Sequence, residues 1–285
     1  MKNIHKIAIL VGFQSILFSC TDTNTVVNPG DKPIIEAYLA PNHKVSMKVY
    51  TEIPYSETSE GKSDVIDGLT IKITGSDGKN FTLKSLGGGI YESGSTELIG
   101  LANSTYTMSF DYKGRNVSAT TTIPEKPIGF KIDKTEISRT QIDLSSGGFP
   151  GGGGGGPFGG GGEINTSVEL TWSNPNKAYY FVAAQNTETS PVAVLIPPAG
   201  SIFPSFRFNE QPSTGVSQLL RSQSFQYFGN YDLILYRVNT EYAALYQSAG
   251  TTSQNLSTPP SSITNGLGVF SGINADTLKF VVKKN

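Results

Sequence analysis

Thr105-Tyr106-Thr107-Met108-Ser109-Phe110-Asp111-Tyr112-Lys113-Gly114-Arg115-Asn116-Val117-Ser118-Ala119-Thr120-Thr121-Thr122 reads as a β-hairpin. Its arms, Thr105–Tyr112 and Arg115–Thr122, are short and either alternating or β-branched, as half-buried strands are. Between them Tyr112-Lys113-Gly114-Arg115 makes a hairpin tip, because glycine accepts the positive φ of a tight turn. The same grammar runs back towards the N-terminus through Ile34–Leu39, Val45–Tyr50, Leu69–Thr74, Phe81–Leu83 and Gly89–Glu92. Turn signals separate these segments: Pro41-Asn42, Ser76-Asp77-Gly78-Lys79 and Gly87-Gly88-Gly89. Short strands with turns every ~8–12 residues predict an immunoglobulin-like β-sandwich over residues 32–125. Pro124 and Pro127, flanking Glu125-Lys126, mark a stiff boundary.

Beyond it a second β-rich domain, sandwich- or barrel-like, is expected over residues 126–285. Phe130–Leu144 reads as one long extended segment or a hairpin. Ser167–Trp172, Tyr179–Gln185, Val192–Ile196, Ser222–Phe228, Tyr231–Arg237 and Leu278–Val282 resume the strand pattern. The one convincing helix is Thr240–Ser248, with Thr240 as its cap and Tyr242, Leu245 and Tyr246 at i, i+3 and i+4. Ser217–Leu220 suggests a further helical turn. Residues 147–162 hold 12 of the chain's 32 glycines. Burial cannot offset the backbone entropy of such a run, ~1 kcal/mol or more per residue, so a disordered loop is expected there. The fold class is therefore all-β with a small helical insertion.

The N-terminus carries a different message. Lys2 and Lys6 precede an apolar run, Ile7 to Phe18, that ends in Ser19-Cys20. A basic start, an apolar stretch below the ~20 residues of a membrane span, and a small residue at the cut describe an export signal. The leader resembles a bacterial lipoprotein signal, whose terminal cysteine is acylated after residues 1–19 are removed. Cys20 is the chain's only cysteine. Its acylation would leave no thiol for a disulfide, so stability must come from burial. Residues 20–31 then read as a lipidated residue and flexible tether. Losing Lys2 and Lys6 takes the formal charge from −1 to −3, which is no footprint for nucleic acid.

Chemistry is harder to find. The glycine run ends at Glu163-Ile164-Asn165, without the Gly-Lys-Ser/Thr and helix start of a phosphate loop. His43 is the only histidine beyond the leader, so neither a zinc pair nor a serine–histidine relay can be assembled. Asp64, Asp67 and Asp77 are too scattered for a Ca²⁺ cage. No carboxylate pair stands out among Glu97, Asp111, Glu163, Glu169, Glu188, Glu210 and Glu241. The expectation is a non-enzymatic protein without metal or cofactor, apart from lipid on Cys20. Trp172 is assigned to a sandwich core and His43 to the surface. Contact candidates are Phe149 and Phe158, each beside a proline in the glycine run, and Phe203, Phe206 and Phe208 in a proline-punctuated segment.

Landmarks recur along the chain in a recognisable order: Pro33–Leu39, Ile66–Thr74 with its Asp67-Gly68, Gly89-Ile90-Tyr91, Gly100–Met108 and Ala119–Pro124. Trp172-Ser173-Asn174-Pro175 with Ala178-Tyr179-Tyr180, and the glycine-bearing Ser261–Gly272, complete the set. Together they resemble the Bacteroidota lipoprotein family catalogued as domain of unknown function 4249. Ser262 and Asn174 replace the family's usual asparagine and aspartate. The glycines near the end are expected to let two strands or a loop pass closely. The resemblance implies partnership with an outer-membrane β-barrel of the TonB-dependent-transporter type, from a lipid anchor on the extracellular face. It carries over no catalytic residue and leaves the ligand open. Three functions follow as expectations: a lipoprotein that docks on such a barrel to assist ligand capture or gating, a structural subunit of an outer-membrane assembly or export machine, and a carbohydrate-active enzyme.

Overall fold

The structure, a computed structural model, describes residues 32–52, 63–145, 167–198, 211–248 and 261–285. Its elements begin with β1 (Pro33–Leu39), β2 (Ser46–Thr51), β3 (Lys72–Gly75), β4 (Asn80–Thr82), β5 (Lys84–Gly87) and β6 (Ile90–Glu92). The hairpin β7 (Thr105–Tyr112) and β8 (Arg115–Thr122) follows. Next come β9 (Ile128–Ile132), β10 (Glu136–Arg139), β11 (Ile142–Asp143), β12 (Ser167–Ser173), β13 (Tyr179–Asn186) and β14 (Leu195–Ile196). Then β15 (Ser217–Arg221), β16 (Gly229–Val238), α1 (Thr240–Ser248) and β17 (Leu267–Lys284) complete it. The protein is all-β, and its described residues form two sandwiches with one short α-helix and one 3-10 turn.

The β7–β8 hairpin shows how the alternation builds the first sandwich. Lys113 and Gly114 both take positive φ, 49° and 74°, as a two-residue turn demands. Tyr106, Met108 and Phe110 then share the inner face with Val117 and Ala119, all buried. The sheet β4-β3-β7-β8 packs this face on the β17-β1-β2-β6-β5 part of a longer sheet. Ile35, Met47, Val49, Tyr91 and Phe270 fill the other side of that core. The glycine triplet closes a hairpin between β5 and β6, with φ of 83°, 64° and 72° at Gly87, Gly88 and Gly89.

In the second sandwich, β15-β12-β9 faces β13-β16-β17. Val168, Leu170, Tyr180, Leu233, Leu235, Phe225 and Phe280 form its core. Trp172 is 6% exposed in that core, and its indole N–H donates to the Gly215 carbonyl at 3.0 Å.

Several local readings are corrected. Phe130–Leu144 is neither one long strand nor a hairpin: β9 pairs with β12, β10 with β17 and β11 with β14. Ser217–Leu220 is the strand β15, not a helical turn, because it pairs with β12 and buries Leu220 between the sheets. A window of four residues carries no period, so partner strands decide its state. Ser222–Phe228 opens instead with a 3-10 turn, Ser222–Ser224, that swings Phe225 into the core. Leu278–Val282 is only part of the C-terminal half of the 18-residue β17.

That strand joins the two sandwiches. It runs parallel to β1 from Ile34↔Leu267 to Leu39↔Gly272, then antiparallel to β16 from Val238↔Ile273 to Gly229↔Val282. Close approach is built on glycine. A Cβ on Gly268, whose φ is 97°, would strike the Ile35 carbonyl, and one on Gly272 would strike the Thr122 carbonyl. Ile263 and Phe270 consequently belong to the first core. Residues 261–272 thus return to the first sandwich, which a division at 125/126 does not anticipate.

Candidate interaction face

Cys20, Phe149, Phe158, Phe203, Phe206 and Phe208 all lie outside the described residues. His43 is exposed on a turn, with Nδ1 2.7 Å from the Pro41 carbonyl oxygen. Asp67 and Asp77 serve separate turns, and Asp64 joins β2 through its backbone, its carbonyl accepting the Thr51 N–H at 2.8 Å. Asp67 accepts the Gly89 N–H at 2.8 Å, and Asp77 accepts the Lys79 N–H at 3.2 Å and the Tyr106 hydroxyl at 2.6 Å. Among the described residues no three His, Cys, Asp or Glu side chains come together as a metal site.

What the fold does bring together lies on the outer face of the long sheet. Inward residues of β13 and β16, such as Tyr180, Val182, Leu233 and Leu235, enter the second core. Their neighbours Tyr179, Phe181, Ala183, Ile234, Tyr236 and Val238 must therefore point the other way. A sheet with one solvated face normally carries polar residues there. Here those six positions are apolar or aromatic, and polar residues return only towards Gln185, Asp232, Thr277 and Lys279.

The helix covers part of that outer face. α1 spans nine residues, too short to be stable alone, so packing must hold it. Asn239, rather than Thr240, precedes its first turn: the Asn239 carbonyl accepts the Ala243 N–H at 3.2 Å. The Asn239 amide donates to the Thr122 carbonyl at 2.8 Å and to Thr121 Oγ1 at 3.0 Å. Glu241 accepts hydrogen bonds from Thr121 at 2.8 Å and from Ser271 at 3.4 Å, while Gly272 N–H donates to Thr121 Oγ1 at 2.8 Å. This polar node fixes α1 where β17 passes between sandwiches. Ala243, Val238 and Val269 are buried there, outside both main cores.

Beside the node the aromatic rings form one row. Phe181 and Tyr236, cross-strand partners, stack at 4.8 Å. Tyr242 of α1 stacks on Phe181 at 5.7 Å, meets Tyr38 of β1 edge-on at 5.6 Å and lies 5.3 Å from Tyr246. The Tyr242 and Tyr246 hydroxyls are 3.0 Å apart. Tyr38 is 43% exposed and the other four rings are half-buried. At the rim, Tyr50 donates to Glu36 at 2.6 Å, and Lys48 Nζ sits 5.4 Å from the Tyr50 ring centre.

The hydroxyls of Tyr38, Tyr50 and Tyr242 stay protonated near neutral pH. Burial, and then the Glu36 charge, pushes Tyr38 above its ordinary value of 10.0. Burial raises Tyr242 far above that value, helped by its bond to Tyr246, and does the same to Tyr50, helped by Glu36. None is a candidate base or nucleophile near neutral pH. The row offers preformed ring surface with polar tips, suited to contact rather than catalysis.

Residues of both sandwiches build this face, so no single stretch announces it. One signal was legible: Tyr179–Ala183 and Leu233–Tyr236 are continuous apolar runs, the mark of a strand covered on both sides.

Comparisons with known proteins add the following. The solved structure "Anomalous substructure of Titin-A168169" aligns at 11% identity over 89% of this chain and 99% of its own, with a TM-score of 0.21. "Crystal structure of domains A168-A170 from titin" aligns at 10% identity over 89% and 66%, with a TM-score of 0.20. At those scores neither bears on the fold described above. No curated protein sequence matches the chain. The family described as Domain of unknown function (DUF4249) matches residues 21–279, nearly the whole sequence after Cys20, and the chain belongs to that family.

Proposed function

We propose that this chain is a non-enzymatic lipoprotein of a bacterial outer membrane, of Bacteroidota type, acylated at Cys20 and displayed on the extracellular face. There it docks on a β-barrel of the TonB-dependent-transporter kind and assists ligand capture or gating. The observation that carries the reading is Cys20 itself, the only cysteine, closing an apolar leader with Ser19 before it. Membership of the family supports the setting. Three acyl chains at roughly 0.8 kcal/mol per buried CH₂ would anchor the chain effectively permanently.

Two experiments test this reading. Cys20→Ser should abolish incorporation of labelled palmitate and release the protein from the membrane fraction; unchanged incorporation rejects the anchor. Mild-detergent purification followed by mass spectrometry should recover a transporter-type barrel. A second reading, a structural subunit of an outer-membrane assembly, is favoured by the glycine run at 147–162, which could thread into a neighbour's groove. Depletion separates the two. A ligand-capture partner is dispensable in rich medium, whereas an assembly subunit is not.

A further inference from the structure

The row of aromatic rings needs an occupant, and the chain's anchor suggests which. We infer that the tyrosine-rich outer face of the long sheet, around Tyr38, Tyr236, Tyr242 and Tyr246, lies against the lipid headgroup surface. This rests on the acylation of Cys20 proposed above, but not on any barrel.

The first argument is reach. Eleven residues, or twelve chain steps, separate Cys20 from Lys32, the residue before β1. Twelve steps of chain reach about 43 Å at most, and ~20 Å as the root-mean-square span of a random coil. Tyr38 lies five residues along the strand that the tether feeds, another ~17 Å. A body held so closely must rest one side towards the bilayer, and its surface chemistry selects the side.

The second argument is composition. Tyrosine combines an apolar ring with a polar tip and collects where membrane meets water. This face presents Tyr38, Tyr236, Tyr242 and Tyr246 with Phe181, half-buried by α1 and one another rather than sealed in a core. The outer face of the opposite sheet instead presents Thr105, Thr107, Thr120 and Thr122, paired by hydroxyl contacts at 2.9 Å. Rings would gain by entering the interface, and threonines gain nothing.

The third argument is charge. Asp232 on the outer face pairs with Lys279 at 2.6 Å, and Glu36 at the rim accepts the Tyr50 hydroxyl. Without a basic excess, attraction to anionic lipid is not the driver. Contact should therefore persist in salt and on zwitterionic vesicles.

The lone cysteine makes the test clean, since acylation of Cys20 leaves an introduced cysteine as the only thiol. The lipidated full chain would carry Thr277→Cys, on the exposed outer face of β17 opposite Ile234, or Thr120→Cys on the threonine face. Each is labelled with bimane and reconstituted into phosphatidylcholine vesicles bearing headgroup nitroxides, with no other protein. At least about threefold stronger quenching at 277 than at 120 is expected, unchanged in high salt. Replacing Tyr38, Tyr236 and Tyr246 together by serine should bring the ratio towards one. Equal quenching of the two labels, or stronger quenching at 120, overturns the proposal whether or not the serine variant folds. An unquenched label at 277 that becomes shielded from aqueous iodide only when outer-membrane proteins are added also overturns it, and assigns the face to a protein partner. Failure here leaves barrel docking untouched, and loss of barrel co-purification leaves lipid contact untouched.

Discussion

The β7–β8 face and the β13–β16–β17 face are both outer surfaces of β-sheets, yet they are built to opposite specifications. On the first, polar residues alternate strictly with core residues, and Thr105·Thr122 and Thr107·Thr120 meet as cross-strand hydroxyl pairs. On the second, Phe181·Tyr236 occupies the equivalent kind of position as a stacked ring pair, and α1 lies beside it. The first face is finished by water. The second requires a third layer, and a nine-residue helix supplies only part of one.

Predictions that break this contrast rank by how much of the fold each disturbs. Gly268→Ala should do most damage, because its φ of 97° and the adjacent Ile35 carbonyl both refuse a Cβ. A loss of about 3 kcal/mol or more is expected in urea unfolding. With β17 displaced from β1, Tyr38 separates from the rest of the ring row while the threonine face stays intact. A Gly268→Ala protein of ordinary stability would disprove the splice as described.

Tyr242→Ala removes the one ring that touches Tyr38, Phe181 and Tyr246, and should cost about 2–3 kcal/mol. Near-ultraviolet circular dichroism should change with it. An effect below about 1 kcal/mol would mean the ring row is ornament rather than packing.

Tyr106→Phe acts behind the threonine face. The Tyr106 hydroxyl donates to Asp77 at 2.6 Å and accepts the Gly100 N–H at 2.6 Å, so its loss should cost about 2 kcal/mol. The same bond sets two pH edges. Burial pushes the Asp77 carboxyl up, but bonds from the Tyr106 hydroxyl and Lys79 N–H hold it below its ordinary 3.8. A lowered carboxyl stabilises the fold above 3.8, and that contribution is lost as pH falls through the lower folded value. Tyr106, pushed up to about 12 by burial and then by its bond to Asp77, contributes fully below 10.0 and stops contributing as pH rises through about 12. Tyr106→Phe should flatten both edges of the stability–pH curve.

The smallest effect belongs to the threonine face. Thr107→Ala with Thr120→Ala should shift stability by no more than about 0.5–1 kcal/mol, since an exposed cross-strand pair is worth little. A larger loss would show that this face, too, has a covering layer.

Much of this was legible in the chain, element by element. The β7–β8 hairpin, the Thr240–Ser248 helix and the burial of Trp172 follow from period, turn glycines and side-chain size. The sequence misleads where a window is short or its partner distant: β15 looks helical, β10 and β11 look continuous with β9, and only part of β17 carries a strand pattern. The ring row was illegible as a cluster, because Tyr38, Phe181, Tyr236 and Tyr242 span more than 200 positions.

By itself, then, the sequence determined that this is an all-β protein, which residues alternate inward, where glycine turns the chain and which family it belongs to. Those properties depend on neighbours a few residues apart. Tertiary structure alone decided that β17 pairs with β1 before Gly272 and with β16 after it, and so that two sandwiches share one sheet and one aromatic face. Strand pairing is chosen by the match of distant faces and by room for close approach, and neither is encoded in any local period.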